Sequence, residues 1–214
     1  MNWITKLVMA ILVVGTLATV QGRALAAPEE GGIVAGSIDN PLIRSVPAVV
    51  YLRDVAGEFK PPETPPVMDQ AKLTFIPKVL PVLVGTTVKC PNNDTVQHNI
   101  FSPAKSAKSF NLGVYPPGQS KDVKFEKVGV VPLLCNVHAE MSGFIVVLPN
   151  PYFTTTDKEG GYKIENVPPG KYKLSFWHEK LRPETVEVPV KAGKTTHVKF
   201  SDLKRGPYSV DLSK

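Results

Sequence analysis

The sequence predicts an all-β protein, on three observations. Proline (21) and glycine (16) recur through the 214 residues at turn-like intervals. The apolar residues between them fall in short runs rich in valine, and no 3.6-residue periodicity is sustained beyond the N-terminal stretch. Hydrophobic residues make up 43% of the chain, enough for packed cores and unlike a disordered composition.

The first 26 residues read as an export signal. Lys6 provides the positive start, Leu7 to Val20 form the apolar run, and Ala24-Leu25-Ala26 offers a small-residue cleavage site. The run is shorter than the roughly 20 residues a membrane-spanning helix needs. A cleaved signal peptide with no stable membrane anchor is therefore expected, and a periplasmic or otherwise exported location. Cleavage removes Lys6 and Arg23 and no acid, lowering the formal charge from +6 to +4. Without a dense Lys/Arg run, this mild basicity argues against nucleic acid and for solubility or steering toward an acidic partner.

Gly32–Ile38 and Pro47–Leu52 read as the first two strands. The proline-rich stretch Pro61-Pro62-Glu63-Thr64-Pro65-Pro66 cannot join a sheet ladder and reads as an extended connector. Strands are then expected at Leu73–Ile76, Val79–Val84, Thr86–Cys90, Asp122–Phe125, Val130–Leu134 and Phe144–Leu148. Pro132 interrupts the fifth of these and is best placed on a sheet edge. In the last third, Phe153–Tyr162 reads as strand, turn, strand. Further strands are expected at Lys173–Trp177, Thr185–Val190 and Thr195–Phe200, with Phe176 and Trp177 as sandwich core.

The residues that carry chemistry lie in the middle. Cys135-Asn136-Val137-His138-Ala139-Glu140-Met141 gives Cys-x2-His-x2-Met between two strands, and Asn92–His98 places a second histidine about forty residues earlier. One thiolate and two imidazoles with a weak thioether suit a copper ion that cycles between Cu(I) and Cu(II). A lone histidine or methionine is more often structural, so the combination carries the reading. The two cysteines, Cys90 and Cys135, leave a disulfide open in an exported protein. His178 and His197 have no partners at ligand spacing and read as structural. No Ser-His-Asp arrangement, phosphate loop or paired carboxylates are visible, and the chain reads as a non-enzyme.

Two resemblances refine this. Asn92-x5-His98 and Gly129-x5-Cys135-x2-His138-x2-Met141, with Phe75-Ile76-Pro77 and Val84-Gly85-Thr86-Thr87-Val88, resemble the plastocyanin/amicyanin group of cupredoxins across about residues 71–148, within an expected cupredoxin unit of residues 66–149. The resemblance implies an eight-stranded Greek-key sandwich and one mononuclear type 1 (blue) copper site. His98, Cys135 and His138 would be strong ligands and Met141 the axial one. Asn92 would tie the two ligand loops together, and Asn99 would also belong to the shell around the ligands. An aromatic usually stands where this chain has Cys90. Thr156–Tyr162 and Val167–Tyr172 resemble the carboxypeptidase regulatory-like domain, a small transthyretin-like β-sandwich. That family's opening Gly-x-Val-type strand occurs here at Gly32–Ile38, followed by Ala48–Leu52. The small sandwich is therefore expected to be discontinuous, residues 28–58 and 150–203, with the cupredoxin unit inserted.

The function these readings imply is a periplasmic one-electron carrier. Its redox partners would dock transiently near an apolar patch at His138 flanked by Met141–Phe144 and Pro103, steered by Lys105 and Lys108. The alternatives are a copper carrier or delivery module without redox cycling, and a metal-free structural or adhesion sandwich with Cys90 bridged to Cys135.

Overall fold

The computed structural model describes residues 30–103, 106–206 and 212. The expected signal peptide and Lys105 lie outside them. Among the described residues, sixteen strands and one short 3₁₀ turn, Pro41–Arg44, account for the regular structure. In chain order, β1 (Gly32–Ile38) and β2 (Val49–Arg53) come first. The middle of the chain forms β3 (Asp69–Ala71), β4 (Thr74–Ile76), β5 (Val79–Leu83), β6 (Thr86–Pro91), β7 (His98–Ser102), β8 (Phe110–Tyr115), β9 (Ser120–Phe125), β10 (Gly129–Leu134) and β11 (Ser142–Leu148). The last third forms β12 (Phe153–Thr155), β13 (Gly161–Val167), β14 (Gly170–Trp177), β15 (Thr185–Val190) and β16 (Thr195–Phe200). Among the described residues, no helix is long and apolar enough to cross a membrane.

The first two strands pair with the last five. One sheet has the order β13-β1-β16 and the other β12-β2-β14-β15. β1 runs antiparallel to β13 and parallel to β16, with Gly36 opposite Val198. That glycine is required by space, because a Cβ there would stand 1.7 Å from the Val198 carbonyl oxygen. The core between the two sheets is filled by Val34, Ile38, Val50, Leu52, Ile164, Leu174, Phe176 and Phe200.

The middle strands build a separate core around Met68, Phe75, Val88, Ile100, Tyr115, Phe125, Leu133 and Ile145. Its sheets are β5-β11-β10-β7-β8, β6-β9 and β3-β4. Nine strands lie here, β3 to β11, where the resemblance implied eight. Polar sequence accounts for the misses: β3 is Asp-Gln-Ala, and β7 carries His98, Asn99 and Ser102.

Pro132 is not on an edge strand, because β10 lies between β11 and β7. The proline is tolerated because, among the described residues, β10 pairs with β7 at Leu134 opposite Phe101 and not at Pro132 itself. The Val130 carbonyl accepts from Ala107 N–H on that flank. Residues 130, 132 and 134 share a direction, so the N–H that Pro132 lacks falls where the ladder is open.

Why the run Ala48–Leu52 is apolar on both faces becomes clear in three dimensions. Val50 and Leu52 enter the small core, whereas Val49 and Tyr51 pack on the other unit. A third apolar cluster joins Val49, Tyr51 and Trp177 to Val79, Val130, Phe144, Val146 and Leu148. The Phe144 and Trp177 rings meet edge to face with centroids 5.1 Å apart. The expectation for Trp177 thus needs correcting. Phe176 fills the small sandwich, but Trp177, one residue on, points to the opposite face of β14 and into the contact between the two units. The expected patch changes for the same reason: Phe144 is buried against Trp177 and does not flank His138.

Candidate metal centre

Residues 135–141 form the connection between β10 and β11, whose ends are held together by the Leu134–Ser142 pair. So short a connection must curl, and the Met141 N–H closes it onto the His138 carbonyl at 3.0 Å. Just beyond it, Lys78 pins Ser142, donating to its carbonyl at 2.8 Å and to its hydroxyl at 2.9 Å. His98 is the first residue of β7 and not a loop residue. Since β7 meets β10 at Leu134, His98 arrives at the same end of the sandwich as the loop.

The three expected strong ligands come together. The donor atoms of His98, Cys135 and His138 all lie within 4.8 Å of one another. The two histidine Nδ1 atoms are 3.1 Å apart, and Cys135 Sγ lies 4.0 Å from His138 Nδ1. Donors that each stand about 2.0–2.3 Å from one ion lie roughly 3–4 Å from each other, so the cluster fits a single ion. His98 is fully buried and Cys135 is 6% exposed. His138 is half-buried, so it is the ligand candidate nearest solvent. Met141 is 1% exposed and packs in the same apolar cluster as Cys135.

Two contacts prepare these donors. Asp94 Oδ2 lies 3.0 Å from His98 Nε2. With the Nε2–H given to the carboxylate, the neutral ring keeps its lone pair on Nδ1, facing the other donors. Asp94 is anionic for that task. The Leu73 N–H, then His98 and the Thr95 N–H, hold its carboxyl at about 2. The Leu73 N–H is aimed by the β3–β4 hairpin, where Lys72 and Leu73 have positive φ (54° and 58°). Sequence reading missed Asp94. Its signal was its position, four residues before a histidine that has to be buried.

The second contact concerns Asn99. Its backbone N–H donates to Cys135 Sγ at 3.5 Å, and its side-chain Oδ1 accepts from the Asn136 N–H at 3.4 Å. Asn99 therefore links the two ligand segments, a role the resemblance assigned to Asn92. The Asn92 side chain instead braces its own loop. Its amide donates to the Val96 and Tyr115 carbonyls, and its oxygen accepts from the Asp94 N–H at 3.1 Å. It is completely buried.

Both cysteines are free thiols, so the Cys90–Cys135 bridge of the metal-free alternative is not formed. Cys90 sits in the core at 3% exposure, and burial, followed by Asp122, pushes its thiol up to about 12. An unfolded thiol ionises near 8.5. The native state thus holds its proton to higher pH than the unfolded state, so stability from this group is complete below about pH 8.5 and falls as pH rises toward 12. Alkylation of Cys90 at pH 8 is expected to be far slower in the native protein than after unfolding. Equal rates in the two states would refute its burial.

One thiol and two imidazoles are thus gathered on one end of a β-sandwich. The central unit is similar to cupredoxins. A purple cupredoxin from Nitrosopumilus maritimus is 28% identical, with 38% of this chain and 96% of that one covered and a TM-score of 0.34. A reduced amicyanin mutant is 24% identical, with 44% and 97% covered and a TM-score of 0.38. The copper-containing nitrite reductase from Thermus scotoductus is 27% identical over 45% of this chain and 25% of that one, with a TM-score of 0.39. The family model of the carboxypeptidase regulatory-like domain matches residues 138–204, within which β12 to β16 lie. None of the curated proteins matches. In the central unit, one thiol and two imidazoles form a donor set that suits a transition-metal ion such as copper better than oxygen-seeking ions.

Proposed function

We propose that this protein is an exported mononuclear type 1 copper protein that carries one electron at a time and is not itself a catalyst. The observation that supports it most directly is the convergence of His98 Nδ1, His138 Nδ1 and Cys135 Sγ within 4.8 Å. Met141, buried in the same apolar cluster as Cys135, would supply the axial thioether. A copper ion held there supplies a one-electron couple. The chain's contribution is rigidity: donors fixed by sheet ends, by Asp94 and by Asn99 need little rearrangement between oxidation states.

His138 is the half-buried member of an otherwise enclosed set and offers the shortest exit for an electron. Val137 beside it and Val96 on the facing loop are 46% and 39% exposed. They are the apolar residues a transient redox partner would cover, with Lys105 and Lys108 steering an acidic surface toward them. The test is the visible spectrum of the mature protein with Cu(II). An intense thiolate band that bleaches with mild reductant and returns on reoxidation supports the reading; a colourless protein overturns it. A band that bleaches but does not return would favour a copper delivery module instead.

Asp94 provides a graded check. Substituting Asp94→Ala frees the His98 ring to adopt the other tautomer, and copper affinity is expected to fall by about 10–100-fold, as for other outer-shell partners of metal-bound histidines. Competition titration against a chelator measures this, and an unchanged affinity would remove Asp94 from the site.

A further inference from the structure

The clamp on Cys135 has an outer member that lies well away from the donors in sequence. Asn99 is 1% exposed, so both ends of its side-chain amide need partners. Its Oδ1 accepts from Asn136 N–H, and its Nδ2 donates to Asn111 Oδ1 at 2.8 Å. Asn111 is itself oriented, because the same oxygen accepts from the Gly113 N–H at 2.9 Å.

The backbone of β8 makes this contact possible. His98 and Asn99 of β7 face Tyr115 and Val114, but Phe101 and Ser102 face Asn111 and Phe110. From Asn99 to Phe101 β7 advances two residues, while from Val114 to Asn111 β8 advances three, so β8 contains one extra residue. Gly113, at φ +68°, takes the left-handed conformation such a bulge requires. Without the extra residue Asn111 would stand opposite Ser102, on the face of the sheet away from Asn99. One inserted residue moves a side chain to the other face, so the bulge puts Asn111 on the face of Asn99.

We propose that Asn111 is a positioning residue for the metal centre: by taking the Asn99 Nδ2 it fixes which end of that amide faces Asn136, and so holds the Cys135–Asn136 turn against Asn99. The metal part of this statement rests on the copper reading; the positioning part does not, because every contact in it exists without an ion. The amide has two orientations. Only the one seen here puts an acceptor on the Asn136 N–H, and the Asn111 acceptor makes it the favoured one.

The test is hydrogen exchange of the Asn136 amide in the metal-free full chain, with amides of β13 and β14 as controls. Asn111 is exposed on β8, so its replacement leaves the core intact. Asn111→Leu is expected to speed exchange at Asn136 by about fivefold, the worth of one net hydrogen bond, with the controls unchanged. Asn111→Asp, which keeps an acceptor oxygen at the same point, is expected to restore protection. In the copper-loaded protein the same leucine variant should broaden the thiolate band. If Asn111→Leu leaves Asn136 unchanged, or if aspartate fails as leucine does, the positioning role is overturned while the copper site stands. If exchange responds but no copper binds, the copper reading falls and the clamp remains.

Discussion

Substituting Cys135→Ser is expected to abolish the visible thiolate band of the Cu(II) protein completely and to remove reversible one-electron cycling. The reason is chemical. Serine keeps nearly the same volume but replaces a soft, easily deprotonated sulphur with a hydroxyl that stays protonated at neutral pH, and only the thiolate both holds Cu(I) and gives the intense charge-transfer band. The fold should tolerate the change, since Cys135 lies at the end of β10 and its neighbours in the core, Leu133 and Met141, are untouched. Far-ultraviolet circular dichroism should therefore match the parent while the colour is lost. Met141→Leu makes the contrast. It preserves apolar volume at a 1% exposed position and is expected to keep copper and colour while shifting the reduction potential. A Cys135→Ser protein that stayed blue would refute the ligand assignment, and an unmoved potential in Met141→Leu would remove the axial role.

The second large effect is on stability. Trp177→Ala is expected to cost about 3–5 kcal/mol, the range for deleting a buried aromatic. Trp177 is 1% exposed and meets Phe144 within an apolar cluster shared by both units. For a chain of this size, each kcal/mol lowers the melting temperature by roughly 2–4 °C, so a fall of about 6–20 °C should be seen by calorimetry. The damage should not stay in the small sandwich. Phe144 lies on β11 two residues from Ser142, where the ligand loop ends, so the colour of the copper protein should be lost in the same transition as the β-sheet signal. A loss below about 1 kcal/mol would mean that the two units do not depend on this contact.

Most strands were legible because each is short, apolar and bounded by Gly, Pro or Asn, signals that are local. Of the strands that were missed, β3 and β7 carry polar residues whose burial depends on distant partners, and β8 is interrupted by the Gly113 bulge. In β7, His98 and Asn99 are buried because a metal-ligand cluster and a clamp lie over them, which no period-two pattern announces. Phe176 and Trp177 illustrate the same limit from the apolar side. Both were legible as buried, but which of two cores each enters depends on the face of β14 it occupies and on what the opposite face meets.

By itself the sequence determined the all-β class and put Cys135, His138 and Met141 in one loop too short to separate them. Tertiary structure alone decided the rest. It brought His98 to that loop through the β7–β10 pairing, set its tautomer through Asp94, gave the bridging role to Asn99 in place of Asn92, and kept Cys90 apart as a free, buried thiol. The physical reason is reach. Loop length and side-chain type act over a few residues, whereas register, bulges and burial arise only when strands far apart in the chain are laid side by side.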